Sequence, residues 1–338
     1  MSSGSLNANL YREFIEKCCR GKASVECFQS YRARRPEEAE QLVVHLAKAL
    51  RVAAGALRDY EAVICKHVRN LALSYELTSA CARQSECRDV ARTLALFTVL
   101  YHDAGKCEVG YQLYAHRVRD DFALLHNYSS VAFVLSEETG IHDWFIARME
   151  ELQVPSGLAE RLLAAAATAV MLHHEYYDYK KISAVDVLTP STLAVAKNIP
   201  SGAEIFFDLN LASEVHKRAL ERAFEHVNYK QLRSLLRDPP QPKKEELVLE
   251  VESALELASS LHYEMGAVLW SLERPYESGE KRVIVSTSSL AEVLTYFVSI
   301  VDNLAAKERE RHESQETRWY ANLIQRYYGV YLAECEEP

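Results

Sequence analysis

The chain has 338 residues, of which 49% are hydrophobic and 26% charged, with only 11 Gly and 9 Pro. This composition is typical of a folded, helix-rich globular protein and excludes a disordered or fibrous chain. We find neither a secretory signal nor a run of roughly 18 uninterrupted apolar residues, so we expect a cytoplasmic protein without a membrane partner. The formal net charge of −9 argues against nonspecific coating of nucleic acid, but it allows a local basic groove.

Apolar residues recur at helical spacing along nearly the whole chain, and the alternating runs typical of strands are scarce. The sequence therefore predicts an all-α fold, a bundle of helices. The capping-box pattern of Ser289 and Glu292 predicts a helix start, and a short strand or ordered loop is expected at 276–289. The predicted helices cover about 9–20, 36–54, 57–77, 88–103, 120–137, 142–152, 157–177, 211–236, 244–272, 289–312 and 314–333.

One apolar run ends in an unusual way. The stretch TLALFTVLYHDAGKCE at 93–108 is apolar enough to be core, yet it finishes in His102 and Asp103. Burying an ionised carboxylate costs several kcal/mol or more unless it is paired, hydrogen-bonded or bound to a metal. The pair therefore needs partners elsewhere in the chain.

Further polar residues interrupt apolar helix faces in four other places. His67 falls on the apolar stripe of DYEAVICKHVRNLALSYEL, and His126 falls on that of DFALLHNYSSVAFVL. The apolar helix LAERLLAAAATAVMLHHEYYD contains His173 and His174 after its apolar run, and Asp302 interrupts YFVSIVDNLAA. A single histidine on such a face is usually a hydrogen-bonded core residue. Five helices that each bring His or Asp to a buried face point to a shared centre.

The donor set indicates the kind of centre. Imidazole and carboxylate together suit divalent transition metals such as Mn, Fe, Co, Ni or Zn, with Mg also to be considered. The lack of cysteine in the set argues against a closed structural zinc site. Seven donors exceed the need of one ion, so one or two ions are expected, with Asp103 available as a bridge. Two ions roughly 3.5–4 Å apart can clamp the attacking and leaving oxygens of a phosphoryl displacement.

The order of these motifs, with HDAGK in full, resembles the HD superfamily of metal-dependent phosphohydrolases. The pairing of LLHNYSS with VMLHHE and IVDNLAAKER is most similar to the stand-alone HD nuclease of type I CRISPR interference systems, over about 57–312. This resemblance implies an all-α HD bundle and a nuclease that hydrolyses single-stranded DNA, or RNA, in antiviral defence.

The resemblance also implies roles for individual residues. Asp103 and Lys106 would be catalytic, with Lys106 facing the substrate phosphate; a surface lysine is the alternative. Gly105 suits a left-handed residue that ends the helix, and Ser129 either packs between helices or hydrogen-bonds a ligand. The implied metal ligands are His67, His102, Asp103 and Asp302 for one ion, and Asp103, His126, His173 and His174 for the other.

The spacing between motifs suggests a domain plan. The 127 residues between His174 and Asp302 are more than a compact HD core needs, so we expect an insertion. The expected parts are an N-terminal helical extension at 1–54, an HD domain at 55–312 with an insertion at about 178–288, and a C-terminal helix at 313–338 that packs on the core.

The motifs also bear on the partners of the protein and on alternative functions. No GxxxxGK[ST] motif occurs, so the expected partners are a separate helicase subunit, a CRISPR targeting complex and single-stranded nucleic acid. One alternative is an HD phosphohydrolase acting on nucleotides or cyclic nucleotides, and another is a non-catalytic helical scaffold.

The eight cysteines show no CxxC spacing and are expected to be free thiols. The histidines outside the pattern, expected to be structural or surface residues, are His45, His116, His142, His216, His226, His262 and His312.

Overall fold

A computed structural model of the chain describes residues 3–33, 39–74, 84–119, 126–173, 203–225, 230–257, 260–261 and 279–306. Within these ranges the chain forms a bundle of helices with one small two-stranded sheet, so the expected all-α fold is confirmed. Short 3₁₀ turns lie at Val25–Cys27, Ala104–Cys107 and Glu137–Thr139. The main elements are α1 (Ser3–Lys17), α2 (Leu42–Ser74), α3 (Gln84–Tyr101), α4 (Val109–Ala115), α5 (His126–Leu135), α6 (Ile141–Glu151), α7 (Ser156–Leu172), β1 (Glu204–Asp208), α8 (Leu209–Ala223), α9 (Lys230–Leu235), β2 (Glu246–Glu250) and α10 (Gly279–Ala306).

Two helices organise the core. The long helix α2 packs against α3, α8 and α10, while α7 packs against α3, α5, α6 and α10. Leu162, Ala166 and Val170 of α7 are fully buried, in keeping with its apolar residues on nearly every side. Burying one such Leu or Val contributes roughly 1.5–3 kcal/mol, so this packing fixes where the ends of α3, α5, α7 and α10 lie relative to one another.

The helix α2 differs from the prediction. We expected two helices at 36–54 and 57–77, but the chain continues as one helix through the buried Gly55. A glycine inside a helix costs about 1 kcal/mol, which is less than the burial that the flanking apolar residues gain on both sides. The domain boundary expected between residues 54 and 55 falls inside this continuous helix.

The region after the proline-rich segment DPPQPKK at 238–244 also differs from the prediction. The predicted helix at 244–272 begins instead with β2, whose sequence ELVLE alternates in burial and pairs antiparallel with β1, Phe206 opposite Val248. A helical segment at 251–257 follows. The strand or loop expected at 276–289 is helical from Gly279, so Ser289 is not a helix start. Hydroxyl side chains inside α10 bond back to the helix, as Thr295 Oγ1 donates to Ala291 O at 2.7 Å, and so do not end it.

Parts of the domain plan fall outside the described residues, among them 178–202 and 262–278 of the expected insertion and the C-terminal helix at 313–338. Within the described part of the insertion, α8 packs directly on α2. The α8 helix therefore contributes to the core of the bundle.

A buried carboxylate joins the sheet to the bundle. Glu108 caps α4 by accepting hydrogen bonds from Gly110 N at 2.7 Å and Tyr111 N at 2.5 Å, and its carboxylate lies 3.5 Å from Phe206 N in β1. Burial raises the pKa of Glu108 to about 7 against the opposing effect of these backbone donors. Since Glu108 directly follows HDAGKC, β1 is tied to the turn that carries Asp103.

Two further sequence expectations concern cysteines and membranes. Cys19 and Cys27 form a disulfide with their Cα atoms 5.1 Å apart, contrary to the expectation of free thiols for this pair. Among the described residues, Cys18, Cys65, Cys87 and Cys107 are not part of a disulfide. The segment Ser286–Ala306 is long and apolar enough to cross a membrane, but 67% of its apolar window is buried inside the bundle. Core helices commonly share this property, so it is weak evidence for a span.

His216 generates a prediction about acid stability. It is 2% exposed, packs against Tyr101 and Phe133, and donates from Nδ1 to Ala212 O at 2.7 Å. Burial lowers the pKa of His216 to about 4. Between this value and the unfolded value of about 6.5, the unfolded chain binds the extra proton, so stability is lost as pH falls through that range.

We expect His216→Phe to keep the aromatic packing and to reduce the loss of unfolding free energy between pH 6.5 and 4 by up to about 3 kcal/mol. Urea unfolding curves across this pH range measure the effect. The matched control is His142→Gln at a more exposed site, which should not flatten the profile. A His216→Phe profile parallel to that of the wild type would contradict this explanation.

Candidate metal centre

Histidines and aspartates from five helices meet at one point of the bundle. Four of the helices contribute residues at or next to an end: the first turn of α2, the residues just after α3, the first residue of α5 and the residue just after α7. The fifth helix, α10, contributes Asp302 from within its described length. These residues form two overlapping groups whose candidate ligand atoms lie within 4.8 Å of one another. The residues are His45, His102, Asp103 and Asp302 in the first group, and Asp103, His126 and His173 in the second.

The first group is held closely together. His45 Nε2 lies 3.2 Å from Asp103 Oδ2 and 3.0 Å from Asp302 Oδ1. His102 Nε2 lies 3.4 Å from the same Asp103 oxygen and 3.6 Å from the same Asp302 oxygen. Two imidazole nitrogens and two carboxylate oxygens therefore face a common point.

The second group uses the other oxygen of the same aspartate. His126 Nε2 lies 3.1 Å from Asp103 Oδ1, and His173 Nε2 lies 3.8 Å from it. Each oxygen of Asp103 thus faces a different pair of histidines. This is the arrangement of a carboxylate that can bridge two cations.

The ring orientation of two histidines follows from their place at helix ends. His102 Nδ1 donates to Val99 O at 2.7 Å, and His173 Nδ1 donates to Val170 O at 2.6 Å. The last carbonyls of a helix have no partner within the helix and are available to such donors. With the proton on Nδ1, the Nε2 lone pair of each ring faces the cluster, as a metal ligand requires.

Charges in the cluster set its protonation state. Burial opposes ionisation of Asp103, but His102 and Lys106 outweigh it and hold the pKa of Asp103 well below its usual range. Burial likewise opposes ionisation of Asp302, and the neighbouring His102 and His45 hold its pKa well below the usual range. Burial lowers the pKa of His126, and Lys106 reinforces this against the effect of Asp103. Ionised carboxylates and a neutral imidazole are the forms that bind metals.

These residues fit a divalent cation. His102 Nε2 is buried without a hydrogen-bond partner among the described residues, and the two nearest carboxylate oxygens are 3.4 and 3.6 Å away. A buried polar atom without a hydrogen-bond partner reduces the stability of a protein by about 1–3 kcal/mol. The imidazole and carboxylate donors suit a transition metal.

Lys106 contacts the shared carboxylate. Its Nζ lies 2.7 Å from Asp103 Oδ2, and its side chain is only 6% exposed. The alternative of a surface lysine is therefore wrong. The ammonium and the metal-facing carboxylate form one buried charge cluster.

The structure places His45, not His67, in the first group. The two histidines are 22 residues apart in the same helix, which at 1.5 Å per residue separates them by about 33 Å along its axis. His67 is half-buried among residues such as Ile64 and Val68. The sequence predicts a structural or surface role for His45, but this residue is buried and belongs to the first group of candidate ligands. The remaining expected ligand, His174, lies outside the described residues.

The turn that carries Asp103 packs tightly against α5. Gly105 is not in the left-handed region that we expected. A Cβ at Gly105 would instead lie 2.0 Å from His126 O and 2.6 Å from Ser130 N. Gly105 N donates to Ser130 Oγ at 2.7 Å, and Ser130 Oγ donates to His102 O at 2.9 Å. This hydroxyl, one residue beyond the Ser129 considered from sequence, joins the two groups of ligands.

A helical bundle whose helix ends bring histidines and aspartates around a shared His–Asp pair defines the metal-dependent HD hydrolases. The chain matches the family model described as Cas3, HD domain, over residues 31–256, about two thirds of its length. It therefore belongs to that family of CRISPR-associated HD nuclease domains. No curated protein and no solved structure matches the chain. The matched segment contains every described member of the two groups except Asp302.

The close approach at Gly105 gives a prediction about the second group. We expect Gly105→Ala to destabilise the protein by about 1–3 kcal/mol, because the added methyl group must push α5 away. The same shift moves His126 and weakens metal binding. Urea unfolding and calorimetric titration with Mn²⁺ measure the two effects.

The matched control is Gly157→Ala in α7, where a Cβ meets nothing within 4 Å. We expect this variant to bind metal normally and to gain up to about 1 kcal/mol from the better helix former. Equal stability of the two variants would contradict the close packing of α5 on the turn.

The choice between His45 and His67 gives a second prediction. We expect His45→Gln to lose one bound metal equivalent or to weaken its binding at least about 10-fold, because even outer partners of ligands are worth that much. We expect His67→Gln to bind metal as the wild type does. Elemental analysis and calorimetric titration of both variants decide between them, and loss of metal in His67→Gln alone would show that our assignment is wrong.

Proposed function

We propose that this chain is a metal-dependent nuclease that hydrolyses phosphodiester bonds of single-stranded DNA, or RNA, in CRISPR interference. The observation that carries the proposal is the position of Asp103, whose two oxygens face two different groups of histidines. Membership of the Cas3 HD domain family supports the same reaction class.

We propose a division of the ligands between two divalent transition ions, such as Mn, Ni, Co, Fe or Zn. When bound, such a pair lowers the pKa of a water molecule and neutralises charge that develops on a phosphodiester. His174 remains a proposed ligand from sequence alone. The proposed sets are His45, His102, Asp103 and Asp302 for one ion, and Asp103, His126 and His173 for the other.

The protein side chains contribute orientation and charge. The backbone bonds of His102 and His173 hold their rings with Nε2 toward the cluster. Lys106 contacts one oxygen of Asp103 and adds a positive charge beside the two carboxylates. We propose that this lysine both orients the shared carboxylate and stabilises the negative charge on the substrate phosphate.

Burial indicates the side from which substrate reaches the centre. Asp302 and His126 are 14% and 16% exposed, whereas the side chains of His45, His102 and Asp103 are fully buried. We propose that phosphate enters past the two partly exposed residues. The net charge of −9 disfavours strong binding of nucleic acid by this chain alone. Delivery of the strand is therefore assigned to partners, a separate helicase subunit and a CRISPR targeting complex.

The test compares cleavage by the wild type with that by Asp103→Asn. Purified protein is incubated with a labelled single-stranded DNA oligonucleotide and Mn²⁺, Co²⁺, Ni²⁺ or Mg²⁺, with RNA and duplex DNA in parallel. We expect the wild type to cut the single strand and Asp103→Asn to lose more than about 100-fold of the rate, because loss of an outer partner alone costs 10–100-fold.

The matched control is Asp143→Asn, which removes an exposed carboxylate bound to Lys243 and should leave cleavage unchanged. Intact oligonucleotide with every metal, although metal is bound, would contradict the nuclease proposal. Hydrolysis of nucleotides or cyclic nucleotides in its place would support the alternative phosphohydrolase. Absence of bound metal together with no rescue on its addition would support the scaffold.

A further inference from the structure

His45 differs from His102 and His173 in what lies beside its second ring nitrogen. Its Nε2 faces Asp103 and Asp302, while Nδ1 on the opposite side of the ring lies 3.6 Å from Glu40 Oε2. His102 and His173 instead donate from Nδ1 to carbonyls three residues earlier in the chain. The first group therefore has a carboxylate behind one of its imidazoles.

The position of His45 in α2 explains the difference. His102 and His173 follow the last residues of their helices, where backbone carbonyls lack helical partners. His45 lies in the first turn of α2, where the carbonyls are already used by the next turn of the helix. The ring of His45 instead faces a partner from outside the helix. Glu40, which precedes α2, supplies a carboxylate at that place.

The carboxylate of Glu40 is itself anchored on both oxygens. Lys48 Nζ donates to Oε1 at 3.1 Å, and Ser30 Oγ lies 3.3 Å from Oε2. Ser30 also donates from its backbone N to Glu40 O at 2.9 Å. The Glu40 side chain is only 11% exposed. Its orientation toward His45 is therefore fixed by one residue of α2 and one residue of the preceding segment.

Hydrogen bonds connect the same segment to the turn that carries Asp103. Gln29 N donates to Gln112 Oε1 at 2.9 Å, and Gln112 Nε2 donates to Gln29 O at 3.0 Å. Gln112 Nε2 also donates to Lys106 O. The side-chain amide of Gln112 therefore connects the segment that contains Ser30 to the turn that follows Asp103.

We propose that Glu40 is a positioning residue of the metal centre: it orients the His45 ring so that Nε2 faces the metal of the first group. This inference rests on the proposed function, because it assumes that the first group holds a metal. A carboxylate behind a ligating imidazole fixes its tautomer and raises its basicity, and loss of such a partner costs 10–100-fold in metal affinity. Glu40 acts only through His45 and contacts no reacting atom.

The test measures metal affinity directly, without reference to cleavage. Glu40→Gln keeps the side-chain shape and removes the charge, and we expect its Kd for Mn²⁺ or Co²⁺ at the first group to rise about 10- to 100-fold. The visible absorption spectrum of bound Co²⁺ should change as well, because the ligand field at the ion changes. Ser30→Ala, which loosens the carboxylate but keeps its charge, should weaken binding about 3-fold, less than the range for full removal.

Glu61→Gln is the matched control. Glu61 is a 14% exposed carboxylate of the same helix, bound to Arg92 at 2.5 Å and 16 residues from His45. We expect this variant to lose a comparable amount of stability in urea unfolding and to bind Co²⁺ with the wild-type affinity and spectrum.

The outcomes separate the two proposals. A wild-type protein that binds no transition metal overturns the proposed function itself. A wild type that binds metal, with Glu40→Gln showing the same affinity and Co²⁺ spectrum, overturns only the role of Glu40. If Glu40→Gln does not fold, Ser30→Ala decides: unchanged metal affinity in that variant contradicts the inference, and weaker binding at unchanged stability supports it.

Discussion

The buried charge of Asp103 is the constraint on which the rest of the structure depends. An isolated ionised carboxylate in a protein core is too costly to persist, and this one is fully buried. Lys106 and four histidines surround its two oxygens. Four helices, α2, α3, α5 and α7, begin or end at this point and bring those groups together, and the packing of α2 and α7 holds the helix ends in place.

Most of the centre was predictable from sequence because its polar residues stand out in apolar surroundings. His102 and Asp103 end a core-like run, and Asp302 interrupts another. Periodicity does not distinguish His45 from His67, because it does not tell which end of the long helix α2 meets the other helices of the centre.

Other features depend on contacts that periodicity does not contain. The pairing of β1 with β2 brings together residues more than 35 positions apart, and a short segment with three apolar residues is equally compatible with a helix or a strand. The reason for Gly105 is a close approach of α5 to the turn, not a left-handed backbone. A glycine after a helix is compatible with a left-handed backbone and with a close approach of another helix, and only the packing distinguishes the two explanations.

The imidazoles of the centre are oriented by different groups at the two ends of a helix. The backbone carbonyls of α3 and α7 orient two imidazoles at helix C-termini, whereas a carboxylate orients the imidazole at the N-terminus of α2. This difference matches the polarity of the helix, which leaves carbonyls without helical partners at its C-terminal end only. The N-terminal segment therefore takes part in building the centre, as does α10 near residue 302.

The most direct test of the account is anomalous diffraction from crystals grown with Mn²⁺. The account predicts two anomalous peaks roughly 3.5–4 Å apart, one on each side of the Asp103 carboxylate, with His45 as a ligand of the first. No peak beside Asp103, or a peak coordinated by His67 in its place, would contradict it.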